Sequence, residues 1–158
     1  MRSCYDILQE GKTKTGVYST TVGREDKRVF CDMQSSGGGW TVIQRRGDFN
    51  VDPEDSFYKN WTDYRAGFGK PTGAYTKNAI NQMECPIAAH SHDFLSSTNA
   101  GQLWLGLESI FLLTNKEPVQ LRIHLEDWDG NRTAIVVNEF KISNEQHGYR
   151  IFYKNFKV

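Results

Sequence analysis

The chain is poor in the features that usually declare a function. It holds three cysteines among 158 residues, Cys4, Cys31 and Cys85, and no two stand as C-x-x-C. That spacing excludes a zinc ribbon and a thioredoxin-like redox motif. Neither charge is in excess, since 19 basic and 19 acidic residues leave a formal net charge of zero. A nucleic-acid partner, which calls for a basic face, is therefore not expected. No apolar run approaches the roughly 18 residues of a membrane-crossing helix, so no membrane span is expected. The opening stretch MRSCYDILQE lacks the continuous apolar segment of a secretory signal. An extracellular reading thus supposes a signal outside these residues.

Enzyme motifs are missing as well. Gly11-Lys12-Thr13 is the tail of a P-loop, but Asp6 stands where its first glycine belongs. Asp48, Asn50 and Asp52 begin like a calcium loop, yet Pro53 and Lys59 occupy the positions that need Gly and a bidentate Glu. Cys85, His90, His92 and Asp93 match no structural zinc spacing and read as solvated loop residues. No G-x-S-x-G elbow or papain-like cysteine context occurs. His124 falls on the polar side of a strand and reads as a surface histidine. The chain is accordingly expected not to be an enzyme, with no catalytic, cofactor-binding or metal residue.

What is abundant is aromatic and glycine content: four Trp, seven Tyr, nine Phe and 14 Gly. Gly37, Gly38 and Gly39 stand directly before Trp40, which means either a tight turn into a strand or a cradle for a ligand. Asn60-Trp61-Thr62 and Asn131-Arg132-Thr133 are glycosylation acceptor sequences. A Cys4–Cys31 bridge would close a long loop and remove roughly 3–4 kcal/mol of unfolded-chain entropy. Three free thiols in a reducing compartment fit the counts equally well.

Local patterns predict the elements. CYDILQE reads as a short helix stopped by Gly11, and GVYSTTV and RVFCDM read as strands. GWTVIQRR is a third strand, with Trp40, Val42 and Gln44 on one face and Thr41, Ile43 and Arg45 on the other. Asp52 as N-cap, Pro53 at the first position and Gly67 as stop predict a helix over residues 52–67. Its core stripe would be Phe57, Trp61, Tyr64 and Phe68. Residues 70–101 have no sustained period and read as a long loop. QLWLGLESIFLLTN is a strand-like start followed by a short helix carrying Leu107, Ile110, Phe111 and Leu113. A hairpin follows, turning at Asp129-Gly130, with Leu121, Ile123 and Leu125 on a half-buried face, and YRIFYKNFKV is a last strand. The class is α+β, an antiparallel sheet flanked by short helices.

The blocks CDMQSSGGGWTVIQRR, FYKNWTDYRAGFG, LWLGLESIFLLT, LRIHLEDWDGNRTA and FKISNEQHGYR, in this order, resemble the fibrinogen C-terminal-like domain. The style is that of tachylectin-like and ficolin-like members. The resemblance implies a twisted antiparallel sheet and a Cys4–Cys31 disulfide. It makes the glycine run a scaffold turn for Trp40 and not a phosphate cradle. It marks 1–158 as a partial domain, with residues 70–101, carrying the unpaired Cys85, as an atypical insertion. It also implies that the chain stops before the family's C-terminal lobe, where the calcium loop and the ligand pocket lie. No ligand residue and no cofactor are therefore carried over. The function so implied is that of a secreted, extracellular recognition module, lectin-like, binding carbohydrate on pathogens in innate immunity. The alternative is an extracellular signalling or matrix interaction domain with protein ligands. The full-length protein would be a homo-oligomer, since weak sites gain avidity when linked, with glycans at Asn60 and Asn131.

Overall fold

The computed structural model describes residues 2–46, 57–69, 71, 102–117 and 119–157. The first element, helix α1 (Cys4–Gln9), starts where Ser3 and Asp6 cap each other: the Ser3 hydroxyl accepts from the Asp6 N–H, and the Asp6 carboxylate accepts from the Ser3 N–H at 2.7 Å. The bond from the Ser3 N–H, and next the one the Ser3 hydroxyl donates to the same carboxylate at 2.9 Å, hold the Asp6 carboxyl below its ordinary range. The helix buries Cys4 and Ile7 against strands β1 (Gly16–Val22) and β2 (Glu25–Asp32), which pair antiparallel from Gly16↔Cys31 to Val22↔Glu25. Cys4 and Cys31 are disulfide-bonded, with Cα atoms 5.4 Å apart. Ile7, Val29, Met33 and Leu105 close a core around the bridge.

The glycine run is a turn, held by a buried carboxylate. Asp32 Oδ1 accepts from the N–H groups of Gln34 (2.9 Å) and Ser35 (3.0 Å). A 3₁₀ turn over Ser35–Gly37 follows, and the indole N–H of Trp40 donates back to the Ser35 carbonyl at 2.9 Å. Gly38 has φ +75°, and a Cβ there would lie 2.2 Å from the Met33 carbonyl oxygen. No side chain fits that backbone approach. The turn thus closes on protein groups.

The third strand departs from expectation. It divides into β3 (Trp40–Thr41), which pairs with β2, and β4 (Gln44–Arg45), which pairs with β6 (Leu103–Trp104) in a second sheet. The residues between hand the chain over: the Val42 N–H donates to the Phe30 carbonyl at 3.0 Å, and the Ile43 carbonyl accepts from the Leu105 N–H at 2.8 Å. Ile43 packs against both hydrophobic clusters, so one extended segment serves two sheets. At its end Gln44 is exposed and Arg45 buried, which keeps the expected alternation.

The helix predicted over 52–67 is shorter in fact. Asp52 and Pro53 lie outside the described residues, and helix α2 (Trp61–Ala66) begins at Asn60, whose side-chain oxygen accepts from the Asp63 N–H at 3.0 Å. Residues 57–60 are not helical, and the Phe57 carbonyl accepts from the Lys59 N–H at 3.0 Å and from the Tyr64 hydroxyl at 2.7 Å. Phe57, Tyr64 and Phe68 still meet, with edge-on rings 5.0 and 5.1 Å apart, through a turn in the chain and not one helical face. Trp61, expected in the core, is 53% exposed and lies beside the Tyr149 ring. Gly67 ends the helix with φ +98°. Strand β5 (Phe68–Gly69) then joins β6, giving the sheet order β4-β6-β5.

Helix α3 (Leu107–Thr114) buries Ser109, Ile110 and Thr114. It packs on a third sheet of β7 (Val119–Glu126), β8 (Arg132–Ile142) and β9 (Ile151–Lys157), in that order and antiparallel throughout. The second core joins Ile110 to Phe140, Ile142 and Tyr149. Tyr149 is buried and its hydroxyl donates to Glu108 Oε2 at 2.7 Å. Burial, with Glu108 next, pushes its phenol well above the usual range. The insertion expected at 70–101, with Cys85, His90, His92 and Asp93, lies outside the described residues except for Pro71.

Candidate functional site

The three-stranded β7-β8-β9 sheet supplies the surfaces worth attention, because its apolar face outruns its cover. Leu121 and Val137, which pair across the hairpin, pack against the α3 side of the core. Two and four residues further on, Ile123 is 37% exposed and Leu125 51% exposed. The half-buried face expected for β7 is thus covered only in the strand's first half. His124 is exposed, as expected, and sits opposite Ala134. Partial burial and the Arg122 charge hold its pKa below the ordinary value, against an opposing pull from Asp32.

The far edge of the sheet shows a second apolar surface. Ile151, Phe152 and Tyr153 are 65%, 47% and 60% exposed. They border a groove of about 460 Å³ whose other lining residues are Glu139, Lys141 and Lys154. Lys154 pairs with Glu139 at 2.7 Å, and the Lys141 ammonium stands over the Phe152 ring, 5.6 Å from its centre. The β8–β9 ladder slips in register between Val137 and Lys141, and Glu139 and Asn155 there have positive φ. Bulges of this kind twist an edge strand and re-aim its side chains. An apolar centre with a charged rim is the make-up of a protein-binding patch.

The sequence reading named no ligand residue, and it missed this patch. The alternation in IFYKNFKV marks a strand, but nothing in it says that both faces of its start stay open.

No group of three or more His, Cys, Asp and Glu side chains gathers among the described residues to hold a metal, and no helix there is long and apolar enough to cross a membrane. The acceptor asparagines lie apart. Asn60 caps α2, and Asn131 closes the β7–β8 turn, where its side-chain N–H donates to Asp127 at 2.8 Å. Both are exposed.

Comparisons with known proteins agree with this architecture. The family model described as the C-terminal globular domain of fibrinogen beta and gamma chains matches residues 1–158. The chain is 36% identical over 155 residues to angiopoietin-2 of Canis lupus familiaris and 37% identical to angiopoietin-1 of Homo sapiens. In both cases 97% of this chain aligns with 25% of the relative, so it spans about a quarter of their length. Among solved structures, the fibrinogen-like globe domain of human ANGPTL6 superposes with a TM-score of 0.74 at 32% identity, covering 98% of this chain and 55% of that one. Lamprey fibrin D-dimer, solved with the peptide Gly-His-Arg-Pro-amide, superposes at 0.72 with 29% identity, over 99% of this chain and 40% of that one. The chain belongs to the fibrinogen C-terminal domain family.

Proposed function

We propose that this chain is part of an extracellular binding domain that engages a protein partner, as the domain of a signalling ligand does. The observation that carries this is the likeness to angiopoietins, at 36–37% identity over 97% of the chain. It supports the signalling or interaction reading over the lectin-like, innate-immune one. The lamprey structure with a bound peptide is a further example of the fold holding polypeptide. Extracellular placement is supported by the buried Cys4–Cys31 bridge, which persists in oxidising compartments, and by acceptor sequences at Asn60 and Asn131. Assembly into homo-oligomers belongs to this reading as the means of raising avidity. No cofactor enters it.

The test uses the full-length protein that carries this segment, presented to a panel of receptor ectodomains and to acetylated sugars, with and without calcium. The expected result is saturable binding to a protein ectodomain that neither N-acetylglucosamine nor chelation of calcium displaces. Calcium-dependent binding to an acetylated sugar, with no ectodomain bound, overturns the proposal in favour of a lectin.

A further inference from the structure

The tip of the β7–β8 hairpin places an unusually bare aromatic ring beside a modification sequence. Trp128 is 94% exposed. Asn131 follows three residues later, and Thr133 completes the acceptor sequence. The loop between them is built to a definite shape. Asp127 Oδ1 accepts from the N–H groups of Asp129 (3.0 Å) and Asn131 (2.8 Å), and Oδ2 accepts from Asn131 Nδ2 (2.8 Å). The backbone adds bonds from the Asp127 N–H to the Asn131 carbonyl and from the Gly130 N–H to the Asp127 carbonyl, each at 3.1 Å. Gly130 turns the chain with φ +82°. Thr133, the last residue of the acceptor sequence, is paired with the half-exposed Leu125 at the end of the hairpin.

We propose that Asn131 carries an N-linked glycan whose innermost N-acetylglucosamine packs on the indole face of Trp128. A pyranose presents a face of C–H bonds, and an indole ring offers the large, electron-rich face that such bonds favour. In the attachment step, Asn131 Nδ2 bonds to the anomeric carbon of a lipid-diphosphate-linked oligosaccharide. The bond from that carbon to the diphosphate oxygen breaks, the diphosphate leaves with the bonding pair, and Nδ2 gives up one of its two protons. In this proposal the proton replaced is the one turned away from Asp127, so the bond to Oδ2 stays and the carboxylate orients the amide and the sugar. Asn60 lacks this arrangement. Its Thr62 lies inside α2, and the neighbouring Trp61 ring faces Tyr149, 5.9 Å between centres.

The inference rests on the extracellular reading only in that secretory passage supplies the sugar donor. The protein is produced in a eukaryotic secretory line behind an added signal sequence, and glycopeptides are read by mass spectrometry. Asn131 is expected to be occupied in most secreted molecules. Proton resonances of the first sugar should shift upfield from ring current, and Trp128→Ala should return them to ordinary positions. Thr133→Ala should remove the glycan while leaving the Asn131–Asp127 bond. A bare Asn131, or sugar resonances indifferent to Trp128→Ala, overturns the inference. Bare Asn131 with Asn60 glycosylated overturns it while sparing the extracellular reading. The protein from its natural source carrying no glycan and only reduced cysteines would sink that reading as well.

Discussion

The first sheet, β1-β2-β3, and the third, β7-β8-β9, are both three-stranded and antiparallel, yet they are held by different means. In β2 the last four residues, Val29 to Asp32, are all buried, because α1 covers one side and the body of the domain the other. The disulfide ties the helix to this strand. In β9 the described side chains are exposed along the strand, and the sheet is anchored at one end by Phe140, Ile142 and Tyr149. The contrast teaches a division of labour within one domain. One sheet is closed by a covalent tie and packing on both faces. The other spends its apolar residues partly on a core and partly on surface, and surface of that kind is where partners bind.

The largest effect should come from cutting the tie. Cys4→Ser with Cys31→Ser should cost about 3–4 kcal/mol by the loop-entropy argument, read as a fall in denaturation midpoint under non-reducing conditions. A change below about 1 kcal/mol would mean that packing alone closes the first sheet. A matched pair of truncations follows. Ile7 is fully buried and Ile151 is 65% exposed, so Ile7→Ala should cost roughly 2–5 kcal/mol and Ile151→Ala no more than about 0.5 kcal/mol. Equal costs in denaturant titrations would erase the distinction between the sheets. Gly38→Val forces a branched side chain into a left-handed conformation against the Met33 carbonyl. Strain alone should cost about 1–3 kcal/mol, and unchanged thermal unfolding would count against the turn as described.

A smaller effect, with a pH dependence of its own, concerns the anchor of the third sheet. Tyr149→Phe removes the bond to Glu108 and should cost about 1 kcal/mol near neutral pH. The pH dependence has a definite sign. The folded phenol titrates above its unfolded value of about 10, so its contribution is complete below that pH. It is lost as pH rises further, when only the unfolded chain ionises. The wild type should therefore lose stability above about pH 10 more steeply than Tyr149→Phe, and parallel alkaline unfolding curves would refute the anchor.

Much of this was legible in the residues themselves. Gly11 stops a helix, β-branched runs mark β1 and β2, and Asp129-Gly130 marks the hairpin turn, because stops and turns depend on neighbours a few positions away. The family blocks pointed to the fold, and the structure joins the Cys4 and Cys31 that the resemblance paired. Other features were not legible, for a reason that recurs in each. The described helix α2 is capped by Asn60, although the local pattern ran through residues 57–60 as helix. GWTVIQRR split between sheets because Ile43 serves two cores. The exposure of Ile123 and Leu125 depends on which residues from other parts of the chain pack on β7. Local chemistry, acting over one turn of chain, is written in order along the sequence. Which strand changes sheets and which apolar face is left open depend on groups far apart in the chain, and only their meeting in three dimensions decides it.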